Sequence, residues 1–211
     1  MFTTLRNAFK IKDIRQKIGF TFLMLIVIRL GSQLPTPGVN QLYVESFFAQ
    51  NTGEAFNLFN AFTGGSFEQM SVFALSITPY ITASIIIQLL TIAFPYFERL
   101  AKEGQEGRKK MAQITRYLTV ALGLVQAIGL TVGLFSRAIV DKSVFSIITM
   151  VLVLTAGTAF LMWLGEQINE KGVGNGISLI IFAGIVARIP SGLRSLLVSV
   201  SDGAISVITL I

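Results

Sequence analysis

The chain of 211 residues has no cysteine and no histidine. Their absence excludes a disulfide framework, a zinc site built from Cys and His ligands, and catalysis by a Ser-His or Cys-His pair. Charged residues are scarce as well, at 13%, where a soluble domain carries about a quarter. These absences argue against metal and redox catalysis, and no metal or cofactor is expected. The low charge indicates that water is not the main solvent.

Hydrophobic residues make up 53% of the chain, and its mean hydropathy is +0.71. They occur in blocks of about 17 to 25 residues, the length that a helix needs to cross the hydrocarbon core of a bilayer. The pattern predicts an all-α integral membrane protein, a polytopic helical bundle of one domain. The predicted spans are residues 18–34, 71–94, 115–135, 144–164 and 174–193, followed at 203–211 by the start of a sixth that is too short to cross.

The first apolar run follows a basic segment at 1–17, an arrangement that is also found in cleaved signal peptides. No small-residue cleavage pattern comes after it, and a rigid Pro-Thr-Pro-Gly turn stands at 35–38 instead. We therefore interpret 18–34 as an uncleaved first helix.

Lysine and arginine concentrate in two segments, 1–17 and 95–114, with five each, and segment 165–173 adds Lys171. Because cytoplasmic loops carry an excess of basic residues, these segments are predicted to be cytoplasmic, with the N-terminus inside. The net charge of +6 forms no single basic face, so no specific nucleic-acid binding is expected. The stretch Lys102–Lys110 is either a solvated loop that fixes topology or a docking site for a cytosolic partner or anionic lipid head groups.

The predicted external segment, 35–70, is too polar to cross the membrane and too aromatic for a free linker. Three of its phenylalanines recur at every third position, a spacing that predicts one helical face, and Gly64 and Gly65 then end the helix. The sequence predicts a short amphipathic helix at about 54–67 that packs into another part of the protein. The phenylalanines of this face are Phe56, Phe59 and Phe62.

Two pairs of isoleucines lie four residues apart, Ile81 with Ile85 in the second predicted span and Ile181 with Ile185 in the fifth. Residues four apart share a helical face, so the two pairs are suited to an apolar constriction that gates by excluding water. Spacing alone favours ordinary core packing, because apolar pairs four apart are common in helices.

Two further features have simple interpretations. Arg29 is a charge within the first span, which by default suggests a functional role, but near the outer end its long side chain reaches the interface at little cost. The glycines at 172, 174 and 176 do not make a dinucleotide site, since that motif must follow a strand. A tight turn is predicted there.

Four motifs, in this order and spacing, resemble the SecY family, the channel subunits of the bacterial Sec protein translocase. The resemblance covers the chain from residue 1 to about 211. The motifs read LPTPGV at 34–39, FALSITPYITASIIIQLL at 73–90, FLMWLGEQI at 160–168 and GVGNGISLIIFAGI at 172–185.

The resemblance implies a fold of ten helices in two inverted halves around a pore, as in transporters with internal repeats. This chain would supply the N-terminal half and the start of the second. It implies three groups of site residues: a pore ring of Ile81, Ile85, Ile181 and Ile185; a plug helix with Phe56, Phe59, Asn60, Phe62, Gly64 and Gly65; and lateral gate contacts at Gln88 and Gln126.

The same resemblance implies the function and the partners. A member of this family passes unfolded secretory polypeptides across the plasma (inner) membrane and releases membrane proteins sideways into lipid. It implies SecE and SecG as neighbouring subunits, and the SecA ATPase or a translating ribosome as the source of energy. It also implies that the channel subunit itself has no enzymatic activity.

Two other classes of protein are alternatives. A secondary transporter usually marks its midplane site with charged residues and broken helices, whereas the inner spans here carry almost no charge besides Arg29. A non-conducting assembly subunit would lack a plug-like segment, and residues 54–67 argue against that class.

Overall fold

The computed structural model describes residues 11–50, 54–141 and 143–201, and these form helices and turns with no β-sheet. The predicted start of a sixth span at 203–211 and most of the N-terminal segment lie outside the described residues. The helices are α1 (Lys12–Gly31), α2 (Gln41–Gln50), α3 (Glu54–Phe62), α4 (Thr78–Ala93), α5 (Pro95–Lys102), α6 (Gly104–Ile128), α7 (Val144–Lys171) and α8 (Gly176–Ser201).

The long helices pack side by side into a bundle. Helix α6 lies between α4 and α7, and α7 also packs against α1 and α8. Three helical stretches are long and apolar enough to cross a membrane, and the bent pair of α4 and α5 makes a fourth if it counts as one span. The described chain is therefore a polytopic helical membrane protein. The three stretches are Gly104–Leu134, Val144–Lys171 and Gly176–Arg194.

The predicted second span, 71–94, is helical only from Thr78, so the prediction of a continuous helix is wrong over residues 71–77. These residues form turns, and most of them are buried in the bundle. Non-helical backbone is tolerated at membrane depth only where protein surrounds it and satisfies its polar groups. Here Val72 N–H donates to the carbonyl of Leu34, at 2.9 Å.

Helices also extend beyond two predicted boundaries. The predicted cytoplasmic loop at 95–114 consists of α5 and the first turns of α6, and most of the turn predicted at 165–173 is the end of α7. Helix α7 has 28 residues, about 42 Å at 1.5 Å per residue, which covers the head-group layers as well as the hydrocarbon. Charged residues at its end therefore do not need to end the helix.

A sharp corner separates α4 from α5, whose axes differ by 102°. Phe94 has an extended conformation, and Pro95, which has no N–H to donate, begins the next helix. On α5 the side chain of Lys102 donates a hydrogen bond to Glu98, and this bond lowers the pKa of the exposed Glu98 carboxyl.

A cluster of aromatic rings holds one side of α3. The ring centroid of Phe56 lies 6.3 Å from that of Phe47, 6.1 Å from that of Phe48 and 6.4 Å from that of Phe67. Phe67 is buried, and all of these side chains belong to or pack against one hydrophobic core. Phe47, Phe48, Phe56 and Phe67 are thus packing residues.

Candidate functional site

The candidate site lies where α3 and the turns after it meet α8. We call residues 54–70 the plug segment. Its helix ends at Phe62, five residues earlier than the predicted end at 67, and continues as turns through Met70. Gly64 and Gly65 both have left-handed conformations, with φ of +66° and +90°, which explains why glycine stands at the end of this helix.

Helix α8 presents a stripe of four residues on one face. Residues separated by three or four positions share a helical face, and the stripe consists of Ile181, Gly184, Ile185 and Arg188. Helix α3 packs against α8, and three members of the stripe lie close to residues 54–70. Ile181 lines a cavity with Phe62, Gly184 approaches Gly64, and Arg188 pairs with Glu68.

One apolar cavity of about 270 Å³ brings together predicted pore and plug residues. Ile81 of α4 and Ile181 of α8 line it from opposite helices, and Phe62 of the plug segment lines it as well. Both isoleucines also pack against a buried cluster that contains Ile77. The remaining lining residues are Ser76, Ile77 and Thr78, where the buried turns lead into α4.

Ile85 and Ile185 lie away from this cavity. Contacts of Gly123 with Pro79 and Thr158, together with the Arg116–Glu166 ion pair, show that α4 runs in the direction of α7, and α8 returns the opposite way. Ile85 and Ile185 therefore lie on opposite sides of the level of Ile81 and Ile181, about one turn or 6 Å each. In this chain alone they are 50% and 39% exposed.

The prediction that Phe56 and Phe62 share one helical face is wrong. Phe56 lies among the aromatic rings, whereas Phe62 lines the cavity between α4 and α8. Each residue turns the helix by about 100°, so a step of six residues leaves the two side chains about 120° apart. One face of α3 thus packs on the aromatic rings and the other lines the cavity. The side chain of Phe59 lies outside the described residues.

Polar contacts hold the plug segment to two helices. The guanidinium of Arg29, on α1, donates to the carbonyl oxygen of Gly64 at 3.0 Å. Arg188, on α8, lies 3.2 Å from the carboxylate of Glu68. Buried Asn60 donates from its side chain to the same carboxylate and accepts a bond from the Glu68 N–H.

The role of Arg29 differs from the one that its position predicted. The sequence favoured a side chain that simply reaches the interface, but the structure gives it a specific partner 35 residues away. Likewise no sequence motif predicted a site at Glu68 or Arg188. The two residues are separated by 120 positions, and no motif predicts a pair at that distance. The only signal was their opposite charge in a chain with few charged residues.

The two predicted gate glutamines occupy different environments. Gln88 is exposed on α4, whereas Gln126 lines an apolar cavity of about 390 Å³ with Phe56 and Phe67 of the plug segment. Pro79 packs beside Gly123, and from that level the two glutamines lie in opposite directions, about 18 Å apart along the helix axes. They do not contact each other in this arrangement.

At the other end of the bundle, one contact joins α6 to α7 and another joins α7 to α8. Arg116 of α6 pairs with Glu166 of α7 at 2.7 Å. In the predicted glycine turn, Gly174 has φ of +79°, and a Cβ on Gly176 would lie 2.1 Å from the carbonyl oxygen of Gly165. The turn interpretation of these glycines thus fits the structure, since a side chain at 176 would separate the two helices.

This bundle, with a short helix and buried turns packed among long apolar helices, has the fold of protein translocation channels. Two solved structures match it, each at 21% identity over 90% of this chain. One is a channel from a canine ribosome-channel complex of the endoplasmic reticulum, with a TM-score of 0.63 over 42% of that chain. The other, with a TM-score of 0.62 over 41% of that chain, comes from work on the plug domain of the SecY protein, described as stabilising the closed state of the translocation channel.

Sequence comparison gives the family. A family model described as SecY matches residues 71–211. The protein translocase subunit SecY of Halalkalibacterium halodurans is 53% identical over 198 residues, which cover 92% of this chain and 45% of that relative. The chain belongs to the SecY family and spans about half the length of the curated relatives that it matches.

Proposed function

We propose that this chain forms the N-terminal half of the pore-forming subunit of a protein-conducting channel. The channel translocates unfolded secretory polypeptides across the plasma membrane and releases membrane proteins into it. The observation that carries the proposal is the apolar cavity in which Phe62 of the plug segment meets Ile81 and Ile181. A pore must be lined by helices and closed by a segment that can leave. We assign the first role to α4 and α8 and the second to the segment that carries Phe62.

The mechanism makes and breaks no covalent bond. Isoleucine side chains offer no hydrogen bonds to a passing backbone, and an apolar constriction excludes water when it is empty. Helix α4 contributes Ile81 and Ile85, and α8 contributes Ile181 and Ile185. Because the pairs are offset along the pore axis, they line a short apolar collar rather than a ring at one level.

The plug segment closes this collar in the resting state. Its aromatic face anchors it through Phe56 to the bundle, and its other face places Phe62 at the cavity. Translocation requires Phe62 to leave. The wall for sideways release is formed by α4 and α6, with Gln88 and Gln126 as polar contacts to the translocating chain at two different depths.

The basic segments place the N-terminus in the cytoplasm, following the excess of Lys and Arg in cytoplasmic loops. The energy comes from a partner, the SecA ATPase or a ribosome, and SecE and SecG are neighbouring subunits. Family membership supports these assignments, and one related channel is bound to a ribosome. Membrane lipid surrounds the exposed apolar faces, and the chain has no enzymatic activity of its own.

Site-specific photo-crosslinking to a stalled translocating polypeptide tests the proposal. The probe replaces Ile81, Ile85, Ile181 or Ile185 in the assembled channel. Matched controls are Ile86 and Val186, which each lie five residues after the first isoleucine of the pair and about 140° around the helix. Crosslinks at the four isoleucines that exceed those at both controls are expected, and equal or absent crosslinks at the four would refute the pore assignment.

A further inference from the structure

The carboxylate of Glu68 is shared between the plug segment and α8. From its own segment it accepts the side-chain N–H of Asn60, and from α8 the guanidinium of Arg188. The backbone N–H of Glu68 donates to Asn60 Oδ1 at 3.3 Å, which fixes the carboxylate beside the buried amide. Glu68 is therefore held in a defined orientation toward α8.

A second attachment lies one turn away along α8. A Cβ on Gly64 would lie 2.9 Å from the Cα of Gly184, so the two backbones are in direct contact. The carbonyl oxygen of Gly64 accepts a hydrogen bond from Arg29 of α1, at 3.0 Å. The turn at Gly64 is thus held between two helices.

These contacts share a face of α8 with a pore residue. Ile181 lines the cavity, Gly184 receives the Gly64 turn and Arg188 binds Glu68. The three positions extend over about 10 Å of one rigid helix. Any displacement of α8 that moves Ile181 outward also moves Arg188 away from the plug segment.

We propose that Glu68 and Arg188 form an ionic latch that holds the plug segment in its closed position and couples its release to movement of α8. The inference rests on the proposed function, since a latch needs a plug to hold. Both are positioning residues: they act on Phe62 and on the cavity, not on the translocating polypeptide. Arg29 provides a second attachment, which stays with α1.

The exposure of the pair suits a contact that must open. The side chains of Arg188 and Glu68 are 34% and 42% exposed, so water and salt screen their attraction. Breaking such a pair changes an equilibrium by about two- to five-fold. The latch therefore biases the plug toward closure without locking it.

The test measures how often the plug segment occupies the cavity. Because the chain has no native cysteine, a pair of cysteines at Phe62 and Ile181 is modified selectively on this chain by a short bifunctional thiol reagent in membranes. The pair is combined with E68R, R188E, the double exchange E68R/R188E, and the conservative E68Q. The control is E106R, which makes the same charge change at an exposed residue of α6, far from Glu68.

We expect E68R, R188E and E68Q each to lower the ratio of closed to open plug segment about two- to five-fold, which appears as a lower crosslinking yield, whereas E106R should leave the yield unchanged. The double exchange should recover only part of the loss in E68R, because the guanidinium introduced by E68R cannot accept the N–H of Asn60. Added salt should lower the yield of the parent pair and not that of E68Q. An unchanged yield in E68Q would overturn the latch, and so would a double exchange whose yield is no higher than that of folded E68R, since those two variants lack the same acceptor for Asn60.

The failure of the proposed function would look different. If the crosslink between positions 62 and 181 forms and translocation continues at its full rate, Phe62 does not close the pore and the plug assignment is wrong. The latch is judged from crosslinking yield alone, so the two outcomes are separate.

Discussion

Gly64 of the plug segment and Gly184 of α8 touch through their backbones: a Cβ on Gly64 would lie 2.9 Å from the Cα of Gly184, and one on Gly184 would lie 3.1 Å from the carbonyl oxygen of Phe62. Backbone atoms cannot move aside as the end of a side chain does. The close packing of the plug segment on α8 therefore depends on two glycines from distant parts of the chain.

Replacing Gly184 with valine should displace the plug segment. The branched side chain needs space that the backbone at Phe62 and Gly64 occupies, and overpacking of this kind costs about 1–3 kcal/mol. The expected result is a loss of the crosslink between cysteines at positions 62 and 181 together with increased ion leakage through the resting channel.

Gly192→Val is the matched control for this change. It lies on the same helix with nothing within 4 Å of an added Cβ. If both variants increase ion leakage equally, the effect comes from a β-branched residue in α8 and not from a clash with the plug segment.

Shortening the Arg29 side chain should weaken the attachment of the plug segment to α1. Arg29→Gln shortens the side chain and removes the charge, so the hydrogen bond to the Gly64 carbonyl is lost. A hydrogen bond to a charged group contributes about 1.5–3 kcal/mol when buried, and this bond is only partly buried, so about 1 kcal/mol is a reasonable expectation.

The measurement is the rate at which a cysteine at position 62 reacts with a membrane-impermeant thiol reagent added from outside. The rate should rise about five-fold, the factor that corresponds to 1 kcal/mol. Arg137→Gln, at an exposed position, supplies the control, and an equal rise there would contradict a specific role for Arg29.

The sequence predicted much of the helical content because apolar blocks of membrane-spanning length leave few other solutions. The start of the long helix at Val144 agrees with the predicted boundary. The break at 71–77 was not predicted, since the residues of a buried turn are as apolar as those of a buried helix. The one marker, Pro79, stands in the first turn of α4, where proline is favoured.

The candidate site was likewise predicted only in part. Ile81 and Ile181 were singled out by spacing and by resemblance, and the structure brings them to one cavity. Spacing did not reveal that Ile85 and Ile185 diverge from that level, because their relative heights follow from the antiparallel course of α4 and α8. The links of Arg29 and Arg188 to the plug segment join residues far apart in sequence, and only the fold brings them together.

The ion pair of Arg116 and Glu166 should stabilise the packing of α6 on α7 by a small amount. The two side chains are 49% and 24% exposed, which places the expected coupling at about 0.2–1 kcal/mol. A double-mutant cycle with Arg116→Gln and Glu166→Gln, read from thermal unfolding in detergent, measures it. The coupling should shrink as salt is added, and a coupling that is insensitive to salt would show that the bond is not primarily ionic.

Ser76→Gly should stabilise the closed structure although it removes a side chain. Ser76 has φ of +52°, a left-handed conformation that costs a residue with a Cβ about 1–2 kcal/mol. Glycine adopts it without that cost but loses more conformational entropy on folding, so we expect a net gain of up to about 1 kcal/mol in the free energy of unfolding.

Ser84→Gly, in the middle of α4, is the control with the opposite sign, because glycine weakens a helix interior by about 0.5–1 kcal/mol. Both changes are measured by thermal unfolding. If Ser76→Gly destabilises the protein as Ser84→Gly does, the left-handed turn is not strained in the folded chain.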